Sequence, residues 1–392
     1  MMDLEFMHFV IELVKSSIDG TKAKVPDNVD WENVFTYAKK QTLIPLVYYG
    51  IMASDIEIPE EIREKFDTCL LSHILVDQNQ QFELAKIYKA FNENSVEHMP
   101  IKGAVIRPIY PKSEMRPMGD ADILIRIADK DKVAELMQKL GYTAEKESPH
   151  EFVFFKGKIC IEIHKCLIPP YSKDYYAYYG DGWQFAKKTA DGFRYEMSQD
   201  DHFVYLITHF AKHYRAGGIG VLHMVDFWMY MNAYQLDMDY IKKELDKLSL
   251  GRFFDNVMQT VNAWFNGAPH NEMTEFITTN IFNNEIWGTY ESHSMAAAVK
   301  VSKSSSVKGI KFKRAVGMLF PKLSSMKYGY PILKKCPFLL PFVWIWRWID
   351  VLLFKRSKIK YRLEEINNTN EDAVLAYQRA INYVGLDFNY KD

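Results

Sequence analysis

Hydrophobic spacing along the chain changes character near residue 98. Before that point it is helical. In LEFMHFVIELVK, residues Leu4, Met7, Phe9, Ile11 and Val14 make one broad apolar face. WENVFTYAKKQ follows Asp30, a helix-capping type, and helical spacing persists from Ile62 to Phe91. These segments predict a helical N-terminal region over 1–97. From His98, short apolar runs broken by turn residues take over. HMPIKG predicts a strand ending at Gly103, AVIRPIYP a brief helix stopped by Pro111, ADILIRI a strand, and DKVAELMQKLGY one amphipathic helix with a glycine stop. EFVFFKGKICIEIH holds two β-rich runs around Lys156-Gly157-Lys158, the signature of a hairpin. The order β-α-β-α-β-β predicts a compact α/β unit over 98–168.

PPYSKDYYAYYGDGW then reads as a tyrosine-rich loop. Helical spacing resumes at DDHFVYLITHFAKHY and runs to about residue 300, a helical region over 169–300. The small polar segment 301–310 is a candidate linker to a basic, aromatic region over 301–392, which closes on the helical pattern EDAVLAYQRAINYVG. The sequence contains no internal repeat and no low-complexity tract.

Composition narrows the class. With 392 residues, 48% apolar and 15% aromatic, the chain is long and apolar enough for real cores, which excludes disorder, collagen and small disulfide scaffolds. Four cysteines without a CxxC pair, behind an acid-bearing amphipathic start, lead us to expect a reducing cytoplasm. The net charge of −1 hides a division. Residues 300–362 carry 16 Lys/Arg against the single acid Asp350, a balance of +15 that leaves −16 elsewhere.

Inside that basic stretch, FLLPFVWIWRWIDVLLF (338–354) is 17 residues long and interrupted by Pro341, Arg347 and Asp350. A membrane span needs about 20 apolar residues, so none is expected. Lys334-Lys335 and Lys355-Arg356-Ser357-Lys358 flank the run, and Trp344, Trp346 and Trp348 lie inside it. Two readings fit: a helix lying in a membrane interface over 334–358, at the inner membrane face, or a helix packed on the acidic remainder of the chain. Nucleic acid is a poorer partner, because aliphatic surface interleaves the basic residues.

Candidate chemistry concentrates in MRPMGDADILI. Side chains alternate along a strand, so Asp120 and Asp122 share one face while Ala121 turns to the other. Two carboxylates on one face repel each other, and a divalent cation is the usual partner. Solvated turn acids are the bland alternative. Against it stand Gly119, where backbone can approach a ligand, and the apolar run Ile123-Leu124-Ile125. A third acid lies in a similar setting: in KICIEIHK, Glu162 sits between isoleucines, with Cys160 and His164 on its own face. Three such carboxylates suit a two-metal phosphoryl or nucleotidyl transfer site, with Asp120 and Asp122 on both Mg²⁺ or Mn²⁺ ions and Glu162 on the ion that activates the acceptor.

PIKGAVIRPIYPKSEMRPMGDADILI, GKICIEIHK, DDHFVYLITHFAKHY and VLHMVDF together resemble the uncharacterised bacterial nucleotidyltransferase family of the DNA polymerase beta superfamily. The likeness covers roughly residues 30–235. It rests on a Lys-Gly at a strand end, an Arg-Pro-Met-x-Asp-x-Asp run, a strand acid followed by x-His, and a His-x-x-x-His helix. The resemblance implies an α+β fold, a small mixed sheet backed by helices, that transfers a nucleoside monophosphate from an NTP to a hydroxyl acceptor of unknown identity. It also implies catalytic, metal-binding carboxylates at Asp120, Asp122 and Glu162. One departure stands out: where many active members of the wider superfamily have Gly-Ser, this chain reads Lys102-Gly103-Ala104. Triphosphate binding would then fall to Lys102, the Gly103 amide and the start of the next helix. The missing hydroxyl also leaves open a catalytically degenerate fold serving as a binding or scaffolding module.

Other residues carry paired readings. Lys102 either neutralises phosphates or is a strand-end lysine in water, and Arg116 either clamps a phosphate or pairs with one of the acids. On the helix 202–214, His202, His209 and His213 fall in one column, with Lys212 assigned to the far side. His209 and His213 have the spacing of zinc ligands, for which Asp226 or His223 would be the third, or else the column closes over the nucleotide site. The tyrosine-rich run either stacks on a base or sugar or packs on its own domain.

Overall fold

Local signals fix the helix ends. The computed structural model describes residues 3–145, 147–283, 316–317, 319–354 and 371–387. Helix α1 (Leu4–Asp19) starts at Asp3, whose carboxylate accepts from the Phe6 amide, and stops at Gly20 with φ of +73°. Asp30 caps α2 (Trp31–Lys40) in the same way. Next come α3 (Ile44–Ala53) and the 34-residue α4 (Glu60–Glu93). Helices α1 and α3 touch backbone to backbone at Gly50, where a Cβ would stand 1.9 Å from the Leu13 carbonyl oxygen. Only glycine allows that approach.

The α/β unit follows in the expected order. Strand β1 (His98–Ile101) leads to a one-turn α5 (Gly103–Ile106), β2 (Ala121–Ile125), α6 (Lys130–Lys139), a two-residue β3 (Thr143–Ala144), and the hairpin β4 (Glu151–Lys156) and β5 (Ile159–His164). The sheet order is β1-β2-β5-β4-β3. The β2/β5 pair is parallel and the others antiparallel, so the sheet is mixed. Two features were not expected from the sequence: β3, and a small hairpin β6 (Lys187–Lys188) and β7 (Tyr195–Glu196).

Two cores divide the sheet's faces. Ala121, Ile123, Ile125, Ile161 and Ile163 pack with Leu84, Ile87 and Phe91 of α4 and Val133, Leu136 and Met137 of α6. Leu124, on the opposite face, belongs to a larger core that α1–α3 share with α8 (Gln199–Ala216), α9 (Leu222–Ala233), α10 (Met238–Lys247), α11 (Gly251–Phe265) and α12 (Glu272–Asn283). Period-2 alternation therefore sends the isoleucines into one core and the polar residues of β2 and β5 toward α8.

The tyrosine-rich run is a correction. It contains a helix, α7 (Lys173–Tyr179), because Tyr175 and Tyr179 recur at helical spacing and are both buried. The last described helix of the 169–300 region ends at Asn283, and residues 284–315, the 301–310 linker among them, lie outside the described residues. Beyond them the chain forms helices Leu323–Gly329, Ile332–Lys335, Leu340–Phe354 and Glu371–Tyr383. In the third of these the tryptophans separate. The indoles of Trp344 and Trp348 donate to the carbonyls of Pro321 and Leu319, whereas Trp346 is exposed. Among the described residues no helix is long and apolar enough to cross a membrane.

Candidate active site

The parallel register of β2 and β5 sets Asp122 directly beside Glu162 and Leu124 beside His164, on the sheet face opposite the isoleucine core. Ile101 of β1 stands across from Asp122 on the other side. The next residue, Lys102, thereby reaches over the same strand. Its backbone adopts φ +52° and ψ −126°, a region L-residues rarely occupy and one that costs about 1–3 kcal/mol. The strain coincides with close polar contacts: Lys102 Nζ lies 2.5 Å from Asp122 Oδ1, and His164 Nε2 lies 2.7 Å from that same oxygen and 3.5 Å from Glu162 Oε2. Lys102 is therefore not a solvated strand-end lysine: it is paired with Asp122 at the cavity wall.

Electrostatics separate the carboxylates. Burial alone would raise Asp122, but Lys102 and the His164 hydrogen bond outweigh it and hold the group well below the usual carboxylate range. Asp120, two residues away, is pushed up to about 7 by burial and by the charges of Asp122 and Glu162. His164 is raised, since its bonds to Asp122 and Glu162 overcome burial and the repulsion of Lys102. Three acids thus converge on too little positive charge. Asp122, Glu162 and His164 each present a ligand atom within 4.8 Å of the others, and with Asp120 they form a donor set rich in hard oxygen, which fits Mg²⁺ or Mn²⁺.

These residues open into a cavity of about 380 Å³ that also touches Gly103, Arg116, Gly119, Asp120, His209 and His213. The sequence-predicted positions are therefore brought together. Gly103 packs against Met118: a Cβ there would meet the Met118 sulfur at 2.7 Å, so a larger residue would require that side chain to shift. Arg116 requires a correction. Its guanidinium clamps Asp226 through Nε to Oδ1 at 2.6 Å and Nη2 to Oδ2 at 2.8 Å, and the Tyr110 hydroxyl donates to the same carboxylate. Arg116 pairs with an acid, yet with none of the three strand acids. Asp226 is for the same reason unavailable as a third zinc ligand.

Helix α8 roofs the cavity. His209 and His213 sit with their Nε2 atoms 3.1 Å apart, and among the described residues no third His, Cys, Asp or Glu closes on them as a ligand set. His202 leaves the column: one hundred degrees per residue keeps it on the same azimuth, but two turns of rise carry it into the core, where it meets the Tyr230 hydroxyl. Lys212 is a second correction. Three residues beyond His209, it is a neighbour on the helix surface and lines the cavity. Burial and the Lys102 charge push it down to about 8. Of the tyrosine-rich run, Tyr171 reaches the cavity, beside His150 and Glu151, neither of which the sequence had singled out for it.

Two buried histidines, His202 of α8 and His223 of α9, give an acid-sensitivity prediction. Burial lowers His202 to about 3 and His223 to about 4. Below an unfolded value of about 6.5 the unfolded chain binds protons that the fold does not, so stability is full above that pH and is lost as pH falls from 6.5 toward 4. Each histidine is expected to remove about 2 kcal/mol by pH 5. Asp120, raised rather than lowered, works in the opposite direction over the same interval. The readout is therefore a difference: the Tm drop between pH 7 and pH 5 should be several degrees smaller in His202→Gln than in the unsubstituted protein, and equal drops would contradict the assignment.

No curated protein matches the chain. Among solved structures, the solution structure of the antibiotic-resistance factor ANT(2'')-Ia matches with a TM-score of 0.34 and 12% identity, covering 48% of this chain and 97% of that one. Residues 27–266 match the family described as uncharacterised nucleotidyltransferase, and over that span, more than half its length, the chain belongs to it.

Proposed function

We propose that the protein transfers a nucleoside monophosphate from an NTP to a hydroxyl acceptor at the Asp120, Asp122 and Glu162 cluster. The observation that carries this reading is the β2/β5 register, which sets Asp122 beside Glu162 on the one polar face of an otherwise apolar sheet. The three carboxylates would hold Mg²⁺ or Mn²⁺, which when bound supplies Lewis-acid stabilisation of the charge that develops on the phosphoryl oxygens. The chain's own residues do the rest. The acceptor oxygen forms a bond to the α-phosphorus, the α–β bridging P–O bond breaks, and pyrophosphate leaves. Glu162, less buried than Asp122, takes the hydroxyl proton. Lys102 and Lys212 supply the positive charge, and the His209–His213 edge of α8 a polar wall, against which a triphosphate would lie. Incubation with each NTP, Mg²⁺ or Mn²⁺ and pools of sugars, antibiotics, proteins and RNA ends should release pyrophosphate with one pool. Metal-dependent NTP binding without release in any pool would favour a second reading, a binding or scaffolding module. That reading draws on Ala104 and on the Lys102–Asp122 pair closed on itself.

A peripheral contact accompanies this reading. Phe338, Phe342, Ile345, Trp346 and Ile349 fall on one side of the Leu340–Phe354 helix and its lead-in, with Phe338 75% and both Phe342 and Trp346 67% exposed. Exposed Lys334 and Lys335 precede them, while Lys355, Arg356 and Lys358 lie outside the described residues. An aromatic stripe with basic flanks matches an anionic lipid surface. The full chain should float with anionic vesicles and not with zwitterionic ones, and Phe342→Glu/Trp346→Glu should reduce recovery about tenfold. Equal flotation of the two forms would remove the contact.

A further inference from the structure

A second cluster of ligand-type side chains stands away from the catalytic cavity. His8 projects from α1, Glu275 from the first turn of α12, and His270 from the connection between α11 and α12. His8 Nε2 lies 3.3 Å from Glu275 Oε1, and His270 Nδ1 lies 3.4 Å from the same oxygen. One ligand atom of each residue falls within 4.8 Å of the other two. All three residues lie outside the family-matched span 27–266.

Ordinary hydrogen bonding does not account for the group. His8 Nε2 and Glu275 Oε2 are buried atoms without a hydrogen-bond partner, although an oxygen of Glu275 is near. Among the described residues Glu275 has no Lys or Arg partner; its charge faces only the two imidazoles. The distances instead match a coordination polyhedron. Zinc binds His nitrogen at about 2.0–2.1 Å and carboxylate oxygen at about 2.0–2.2 Å, so the edges of its tetrahedron measure about 3.3–3.5 Å.

The backbone around the ligands is already fixed. Asn271 and Thr274 cap α12 reciprocally, the Thr274 amide donating to Asn271 Oδ1 and the Asn271 amide to Thr274 Oγ1. That places His270 one residue before the cap and Glu275 one turn inside it. The two rings lie 4.4 Å apart between centroids.

We propose that His8, His270 and Glu275 bind a zinc-class divalent ion, with the fourth position open to solvent on the exposed His270 side. The ion braces α1 against α12, two helices that pack in the large core. Its ligand set, two imidazoles and one carboxylate, is softer than the catalytic carboxylates, so the two sites sort metals differently.

The test uses the full-length protein stripped of metal. Titration with Co²⁺ should develop the intense visible absorption of a tetrahedral complex, and Zn²⁺ should displace it and raise Tm. His270→Asn, at an exposed loop position, and Glu275→Gln should each lose one equivalent of Co²⁺ or bind it at least about 100-fold more weakly, while His213→Asn keeps the spectrum. Circular dichroism and an unchanged metal-free Tm verify that the variants fold. The same spectrum and the same Zn²⁺-induced rise in His270→Asn and Glu275→Gln would overturn the site. So would the absence of any tetrahedral Co²⁺ spectrum in the unsubstituted protein, which needs no variant.

Discussion

Asp122→Asn is expected to lower nucleotidyl transfer by about three orders of magnitude, the rate equivalent of losing several kcal/mol of metal-borne stabilisation. Asp122 is the acid on which the others depend. It is buried, it holds the Lys102 ammonium at 2.5 Å and the His164 ring at 2.7 Å, and its charge raises both partners and Asp120. The amide keeps the shape and removes the charge. Lys102 is thereby released toward the cavity, so NTP affinity without metal should hold or tighten while Mn²⁺-dependent binding is lost. Calorimetric titrations with and without Mn²⁺, alongside pyrophosphate release, read both effects. Transfer within threefold of the unsubstituted rate would remove Asp122 from the metal site.

Arg116→Met is expected to destabilise the protein by about 3–5 kcal/mol, because it strands the Asp226 carboxylate in the core with only the Tyr110 hydroxyl. The Asp226 side chain is 4% exposed, so water cannot replace the lost guanidinium. Removing both charges is a different case: Arg116→Met combined with Asp226→Leu should recover most of the loss, since an apolar pair of similar volume carries no desolvation penalty. Urea unfolding of the two single variants and the double variant gives the coupling energy. Were Arg116 a phosphate clamp, Arg116→Met would weaken NTP binding and leave stability unchanged, so the same three proteins separate the two roles.

The contrast between these residues shows where sequence reading succeeds. Asp122, Glu162 and His164 were legible because strand alternation is a local rule: polar residues that alternate with Ala121, Ile123, Ile161 and Ile163 on a β-run must face away from the core these enter. The helical Tyr175 and Tyr179 were hidden by a local signal of the wrong kind, the flanking Pro, Gly and Ser residues that mark turns. Lys212 was misplaced by one helical step, three residues from His209, where spacing alone should have made it a neighbour.

By itself, then, the sequence determined the order of elements, the isoleucine face of the sheet and the convergence of acids on its other face, all consequences of periodicity over a few residues. The tertiary structure decided the partners. Lys102 meets Asp122 across 20 positions, His164 meets it across 42, and Arg116 finds Asp226 across 110. Those pairings follow from strand register and from the packing of α9 against the connection between β1 and β2. A buried charge takes whatever opposite charge packing brings within reach, and no spacing along the chain specifies which that will be.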